Sequence, residues 1–239
     1  MSTTVESLFV IFLLVFFEIS LSLQLPTLQR KLLKDGFHRD IQTIVEIPLS
    51  LFTQREGMKC RCLYKEFLPS SSYVDTFQLK SVSKHLGFDY VSPTLDIEKP
   101  EYQENTFSIF SILIYTDLHV NSDRVISNVT FPIHLRYHLP ATDYRNFSIM
   151  NPGVLIQCNN ADYIGEIMRT EQIPCTPKED ILCEWNVIKY KSDVNDIRVE
   201  VPVGNTNHTV LVVIGTLTVT FGSCLWIVYK VLNTKIKQS

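Results

Sequence analysis

The stretch FPIHLRYHLP, Phe131 to Pro140, decides how the middle of this chain folds. Its two histidines, His134 and His138, stand four residues apart with Arg136 between them. On a helix that spacing would turn both imidazoles to one face, ready for a metal ion. Pro132 and Pro140 bracket the segment and disfavour a helix through it. Ile133, Leu135, Tyr137 and Leu139 alternate with His134, Arg136 and His138, which is the period of a strand with one apolar and one basic face. In a strand the two histidines lie about 13 Å apart, at roughly 3.3 Å per residue. Imidazole nitrogens bind a metal at about 2 Å, so the pair cannot share one ion. The segment reads as a strand whose basic face is solvated, structural or turned to a partner, with Arg136 the residue expected to pair with a carboxylate in the fold or on the partner.

The same period extends outward. Ile41, Thr43, Val45, Ile47 and Leu49 alternate with polar residues, as do Ile197, Val199, Val201 and Val203. FSIFSILIY, Phe107 to Tyr115, is apolar on both faces and suits a central strand. Further runs lie at Lys59–Phe67, Val154–Cys158 and Trp185–Tyr190. Asp35-Gly36 is a hairpin signal, and TLQRKLL before it reads as a short helix or as the first arm of that hairpin, the arm being favoured. The expected fold class is mainly β: an antiparallel β-sandwich followed by one C-terminal transmembrane helix.

That helix is VLVVIGTLTVTFGSCLWIVY, Val210 to Tyr229, which carries no charge and is long enough to span a bilayer. Lys230, Lys235 and Lys237 follow it, which places the tail in the cytosol and the sandwich in the lumen. The basic tail also argues against a GPI-attachment signal, which ends in its apolar stretch. Near the start, LFVIFLLVFF (Leu8 to Phe17) is too short to span and suits a signal peptide cleaved after Ser22. The expected organisation is a signal peptide over 1–22, a lumenal domain over 23–208, a span over 209–229 and a cytosolic tail over 230–239. Lys235 and Lys237, fifth and third from the end, resemble a di-lysine retrieval signal to the endoplasmic reticulum.

Five cysteines precede the span: Cys60, Cys62, Cys158, Cys175 and Cys183. An oxidising lumen favours two disulfides with one thiol left over. The pairing favoured is Cys175 with Cys183 across a short loop and Cys60 with Cys158. Among the Asn-x-Ser/Thr sequons, Asn128 and Asn146 are the candidate glycan sites, since Asn207 lies almost at the membrane.

Net charge is −3, from 22 basic and 25 acidic residues, with no basic stripe, so no nucleic-acid partner is expected. The chain lacks a G-x-S-x-G elbow, a Gly-rich phosphate loop and paired C-x-x-C zinc spacing. No catalytic residue, metal or cofactor is assigned. In the span, Gly215, Thr218 and Gly222 recur at helical spacing and offer a small-residue face to another helix. They join His134, Arg136 and His138 as partner-contact candidates. On these features alone, a single-pass adhesion or receptor glycoprotein with an Ig-like lumenal domain fits as well as any other reading.

Five segments change that balance. LLKDGFHRDI (Leu32–Ile41), PIHLRYHLPA (Pro132–Ala141), NPGVLIQC (Asn151–Cys158), DILCEWNVIKYKS (Asp180–Ser192) and VPVGNTNHT (Val201–Thr209) together resemble the PIG-X family, in family order. The resemblance implies a non-catalytic subunit of GPI mannosyltransferase I in the endoplasmic reticulum membrane. Its implied partner is the multi-pass catalytic subunit PIG-M, which transfers the first mannose from dolichol-phosphate-mannose to the GPI precursor. The implied role is to stabilise PIG-M.

Overall fold

Asp35-Gly36 does turn a hairpin. Thr27–Leu33 (β1) pairs antiparallel with His38–Pro48 (β2), and Lys34 and Gly36 take the left-handed backbone the turn requires. The structure, a computed structural model, describes residues 25–54, 57–104 and 109–238. The expected signal peptide lies outside these residues.

The strands that follow are Cys60–Pro69 (β3), Ser72–Tyr73 (β4), Phe88–Val91 (β5), Ile109–Asp117 (β6) and His119–Asn121 (β7). After these come Arg124–Leu135 (β8), Arg145–Met150 (β9), Gly153–Cys158 (β10), Ile167–Pro174 (β11), Leu182–Ile188 (β12), Lys191–Ser192 (β13) and Asp196–Val201 (β14). One sheet has the order β13-β1-β2-β8-β4, with β7 also on β8; the other runs β11-β12-β10-β3-β6-β5. A ribbon of β9 and β14 accompanies them. Among the described residues, all pairings between these strands are antiparallel except the short contact of β1 with β13.

The alternation of β2 reads directly as burial. Ile41, Thr43, Val45 and Ile47 are buried, and the three apolar ones share a core with Tyr64, Ile112, Ile114 and Val154 from the other sheet. Ile197, Val199 and Val201 of β14 join that core; Val203 lies beyond the strand's end. The far face of the second sheet is buried as well. There Leu63, Tyr115, Leu155, Ile173, Trp185 and Val187 form a smaller cluster. The β11–β12 hairpin closes over this face: the Arg61 guanidinium donates to the carbonyl of Cys175 at 2.7 Å, and Lys65 Nζ reaches Glu171 at 3.0 Å. Strand β6 lies between β3 and β5 and is covered on both faces over Ile112–Thr116, which suits the apolar residues there.

One element of the domain has no counterpart in the expected pattern. Thr76–Leu86 (α1) is a helix, capped by the Asp75 carboxylate, which accepts from Phe77 N–H at 2.8 Å, and ended by Gly87 at φ 72°. Only Leu79 and Ser83 of it are buried, so no apolar stripe announces it. The second helix, Thr209–Gln238 (α2), leaves the domain through a 3-10 turn at Thr206–His208. Thr206–Asn233 is long and apolar enough to cross a membrane, and among the described residues nothing covers it.

Candidate functional site

The opening stretch is placed differently from its expected two-faced strand. Strand β8 ends at Leu135, and Arg136 begins an irregular segment. Ile133 and Leu135 are buried as expected, but His134 and Arg136 are buried too, while Tyr137 and Leu139 are exposed. The cause is a cover over the outer side. His134 Nε2 sits 2.7 Å from Gln78 Oε1 of α1 and stacks on Tyr73, with His38 edge-on at 4.5 Å. The Arg136 guanidinium donates to the carbonyl of Lys99, stands 3.7 Å from the Glu104 carboxylate and lies 4.9 Å over the Tyr73 ring. Its backbone N–H donates to Ser71. Arg136 therefore ties together the β3–β4 turn and the segment 99–104. Neither Arg136 nor His134 presents a surface to a partner. His138 is half-buried, 3.7 Å from Glu101 and stacked near Phe147.

Arg136→Ala is accordingly expected to destabilise the domain. A buried charge-assisted hydrogen bond contributes about 1.5–3 kcal/mol, and a desolvated cation–π contact about 2. A total loss of about 3 kcal/mol is expected, read by thermal or urea unfolding of the full chain in detergent. Arg136→Lys should recover little of it, because an ammonium cannot reproduce the planar contact with Tyr73.

Burial pushes both imidazoles below their ordinary value. For His134 the neighbouring His38 adds to the effect while Asp75 opposes it; for His138 Glu101 opposes it and Arg145 adds to it. A histidine whose folded value lies below its unfolded one, about 6.5, binds more protons when unfolded. Its stabilising effect is whole above that value and is lost as pH falls below it. The unfolding temperature should therefore drop between about pH 7 and pH 5.5, and His134→Gln should narrow that drop.

A second buried polar group runs between the sheets. Arg30 of β1 and Glu66 of β3 form an ion pair with both side chains fully buried, and Arg30 also donates to the carbonyl of Met150. Burial raises the Glu66 carboxyl from its ordinary value, and Arg30 counters only part of that. On the same strand, Cys62 and Tyr64 lie beside Ser127, and burial pushes the Cys62 thiol up to about 12. Cys62 is free and inert by that measure. None of this was singled out from sequence, yet the signal is there. Arg30 shares a face with Leu28, and Glu66 shares one with Tyr64 and Leu68, each a lone charge in an apolar alternation.

Disulfides join Cys60 to Cys158 and Cys175 to Cys183. Asn128 on β8 and Asn146 on β9 are exposed. Gly215, Thr218 and Gly222 fall on one side of α2, with open space at both glycines; the Thr218 hydroxyl donates back to Ile214 O. The side chains of Lys235 and Lys237 lie outside the described residues. Among the described residues no three His, Cys, Asp or Glu side chains converge on a metal position. The surface hollows are open ones, such as a cavity of about 290 Å³ lined by Arg61, Lys84, Asp89 and Asp117.

Residues 34–232 match the family model described as PIG-X / PBN1. The chain belongs to the PIG-X family. The match takes in nearly all of the β-domain and the apolar part of α2. Among curated PIG-X relatives, a human protein is 34% identical over 200 residues, covering 81% of this chain and 74% of its own. A mouse protein is 32% identical over 199 residues, covering 81% and 76%. Both carry the name GPI alpha-1,4-mannosyltransferase I, stabilizing subunit. No solved structure matches the chain.

Proposed function

We propose that this chain is the stabilising, non-catalytic subunit of GPI alpha-1,4-mannosyltransferase I. In this reading α2 spans the endoplasmic reticulum membrane, the β-domain is lumenal and the tail is cytosolic. The partner is the catalytic subunit PIG-M, which transfers the first mannose from dolichol-phosphate-mannose to the GPI precursor. The observation that carries the reading is the family match, which runs through β-domain and span together. The physical chemistry agrees with it. Donor and acceptor are both lipids, and polar catalytic groups at membrane depth must be enclosed by several helices. Among the described residues this chain has one such helix, and its long apolar surface is bare. A helix of that kind suits packing against a multi-pass partner. Two disulfides suit an oxidising lumen. Glycans at Asn128 and Asn146, and retrieval through Lys235 and Lys237, belong to the same reading.

The test is complementation. The chain, co-expressed with PIG-M of its own species to exclude mismatch, is introduced into cells lacking the stabilising subunit. Return of GPI-anchored proteins to the surface is expected, and failure despite full expression would overturn the assignment. Glycans fully sensitive to endoglycosidase H are expected; complex glycans on a surface-labelled pool would favour a surface receptor instead.

The bare side of α2 at Gly215 and Gly222 gives a sharper expectation. Gly215→Leu with Gly222→Leu places two branched side chains where a helix would approach closely. Recovery of PIG-M with this chain from digitonin extracts should fall several-fold. The β-domain, which touches neither glycine, should keep its unfolding temperature.

A further inference from the structure

The membrane-facing end of the β-domain is defined by its bonds to the foot of α2. Ala141 pairs with Asn205, its N–H donates to Gly204 O at 3.0 Å, and Thr206 N–H donates back to Ala141 O at 3.2 Å. Thr206 opens the 3-10 turn that continues without interruption into α2. From Thr206 to Val210, where the uncharged stretch begins, the rise is about 6–8 Å at helical spacing. The interfacial layer on each side of the hydrocarbon core is about 5–8 Å deep. With α2 as a membrane span, Ala141 thus stands at the depth of the headgroups, and Tyr137, Leu139 and Tyr144 lie within four residues of it.

At this level Tyr137, Leu139 and Tyr144 are 70%, 51% and 65% exposed. Tyr137 is braced from behind by Phe37 of the β1–β2 turn, with ring centroids 4.6 Å apart. That turn is tied to the same end by Arg39, whose guanidinium donates to Glu200 O at 2.8 Å. The exposed ring of Tyr137 is therefore held on a firm base. Tyrosine has an apolar body and a polar tip, the combination enriched where one side is hydrocarbon and the other water. Asp143 in the segment and Arg145 just after it balance, so ring insertion rather than attraction to anionic lipid would hold it.

We propose that the segment 137–144 seats on the bilayer surface, with Tyr137, Leu139 and Tyr144 among the headgroups, and so fixes the tilt of the β-domain over its span. The proposal rests on α2 being a membrane span. It commits to lipid because this surface continues directly from the apolar surface of α2.

The test uses the full chain in nanodiscs of neutral phosphatidylcholine. Single cysteines labelled with an environment-sensitive fluorophore are placed at Leu139→Cys or Tyr144→Cys, with Cys224→Ser to remove the span's own thiol. Buried Cys62 stays unlabelled. Val120→Cys, in the strand that pairs with the far end of β8, is the water-side control. Native Cys224 labelled alone reports the span. Spin-labelled lipids are expected to quench the probes at 139 and 144 several-fold more than at 120, unchanged by high salt. If Cys224 is quenched while 139 and 144 behave like 120, the proposal is overturned and the span reading survives. If Cys224 itself escapes quenching, the span reading fails and takes the proposal with it. Shielding at 139 and 144 that appears only when PIG-M is added to the disc would assign the surface to protein and overturn the proposal.

Discussion

Replacing Arg30 by Met alone is expected to cost the β-domain about 3–5 kcal/mol, the usual penalty for leaving one member of a buried ion pair uncompensated. Both side chains are fully buried, so no water takes over the lost contact. Glu66 would be left between two sheets, with one carboxylate oxygen already lacking a hydrogen-bond partner. Against a typical total stability of about 5–15 kcal/mol, that loss leaves little folded protein. The double change Arg30→Met with Glu66→Leu should behave quite differently. Desolvating two charges costs several kcal/mol each, and an apolar pair of similar volume avoids that cost. The double variant should match or exceed wild-type stability. Urea unfolding of the four corners of this cycle in digitonin, followed by emission from buried Trp185, checks it. A double variant as unstable as Arg30→Met alone would show that the pair is needed for its geometry rather than for mutual neutralisation.

Removing the Cys60–Cys158 bridge should be comparably severe. The two residues face each other directly on β3 and β10, and the bridge spans 98 positions of sequence. In the chain-entropy account a loop of that order restricts the unfolded chain by about 4.7 kcal/mol, and measured losses run about 2–5. Cys175–Cys183, at a separation of 8, closes a far shorter loop and should matter less. Cys60→Ala with Cys158→Ala is expected to lower both the unfolding midpoint and the level in cells. Cys175→Ala with Cys183→Ala should have a smaller effect on both. The reverse order would indicate that the small bridge carries the larger share, through the hairpin end it holds over Trp185.

Much of the fold was legible because its strands obey one rule. On β2 from Ile41 and on β14 from Ile197, every second residue is apolar except Thr43, and those residues are the buried ones. The β1–β2 hairpin followed from Asp-Gly, and α2 from an uncharged stretch of spanning length. Helix α1 was not legible, since it buries only Leu79 and Ser83 and is held mainly by caps and a few contacts with β8. The histidine–arginine stretch misled for the same reason. Alternation assigns faces but does not say which face another element covers. Helix α1 and residues 99–104 cover this one, which turns Arg136 from a surface charge into an internal tie. Arg30 and Glu66 escaped notice because a lone charge on an apolar face does not name its partner until the opposite strand is known. The exposed ring at Tyr144 gains meaning only once Ala141 is seen bonded to Asn205 at the foot of the span.

The central claim, that this chain works by protecting the catalytic subunit, is tested most directly by a lifetime. In cells lacking the stabilising subunit, PIG-M is pulse-labelled and its decay followed with and without this chain. The account predicts a several-fold longer PIG-M half-life when the chain is present, shortened again by Gly215→Leu with Gly222→Leu. Restoration of surface GPI-anchored proteins with no change in PIG-M half-life would contradict it.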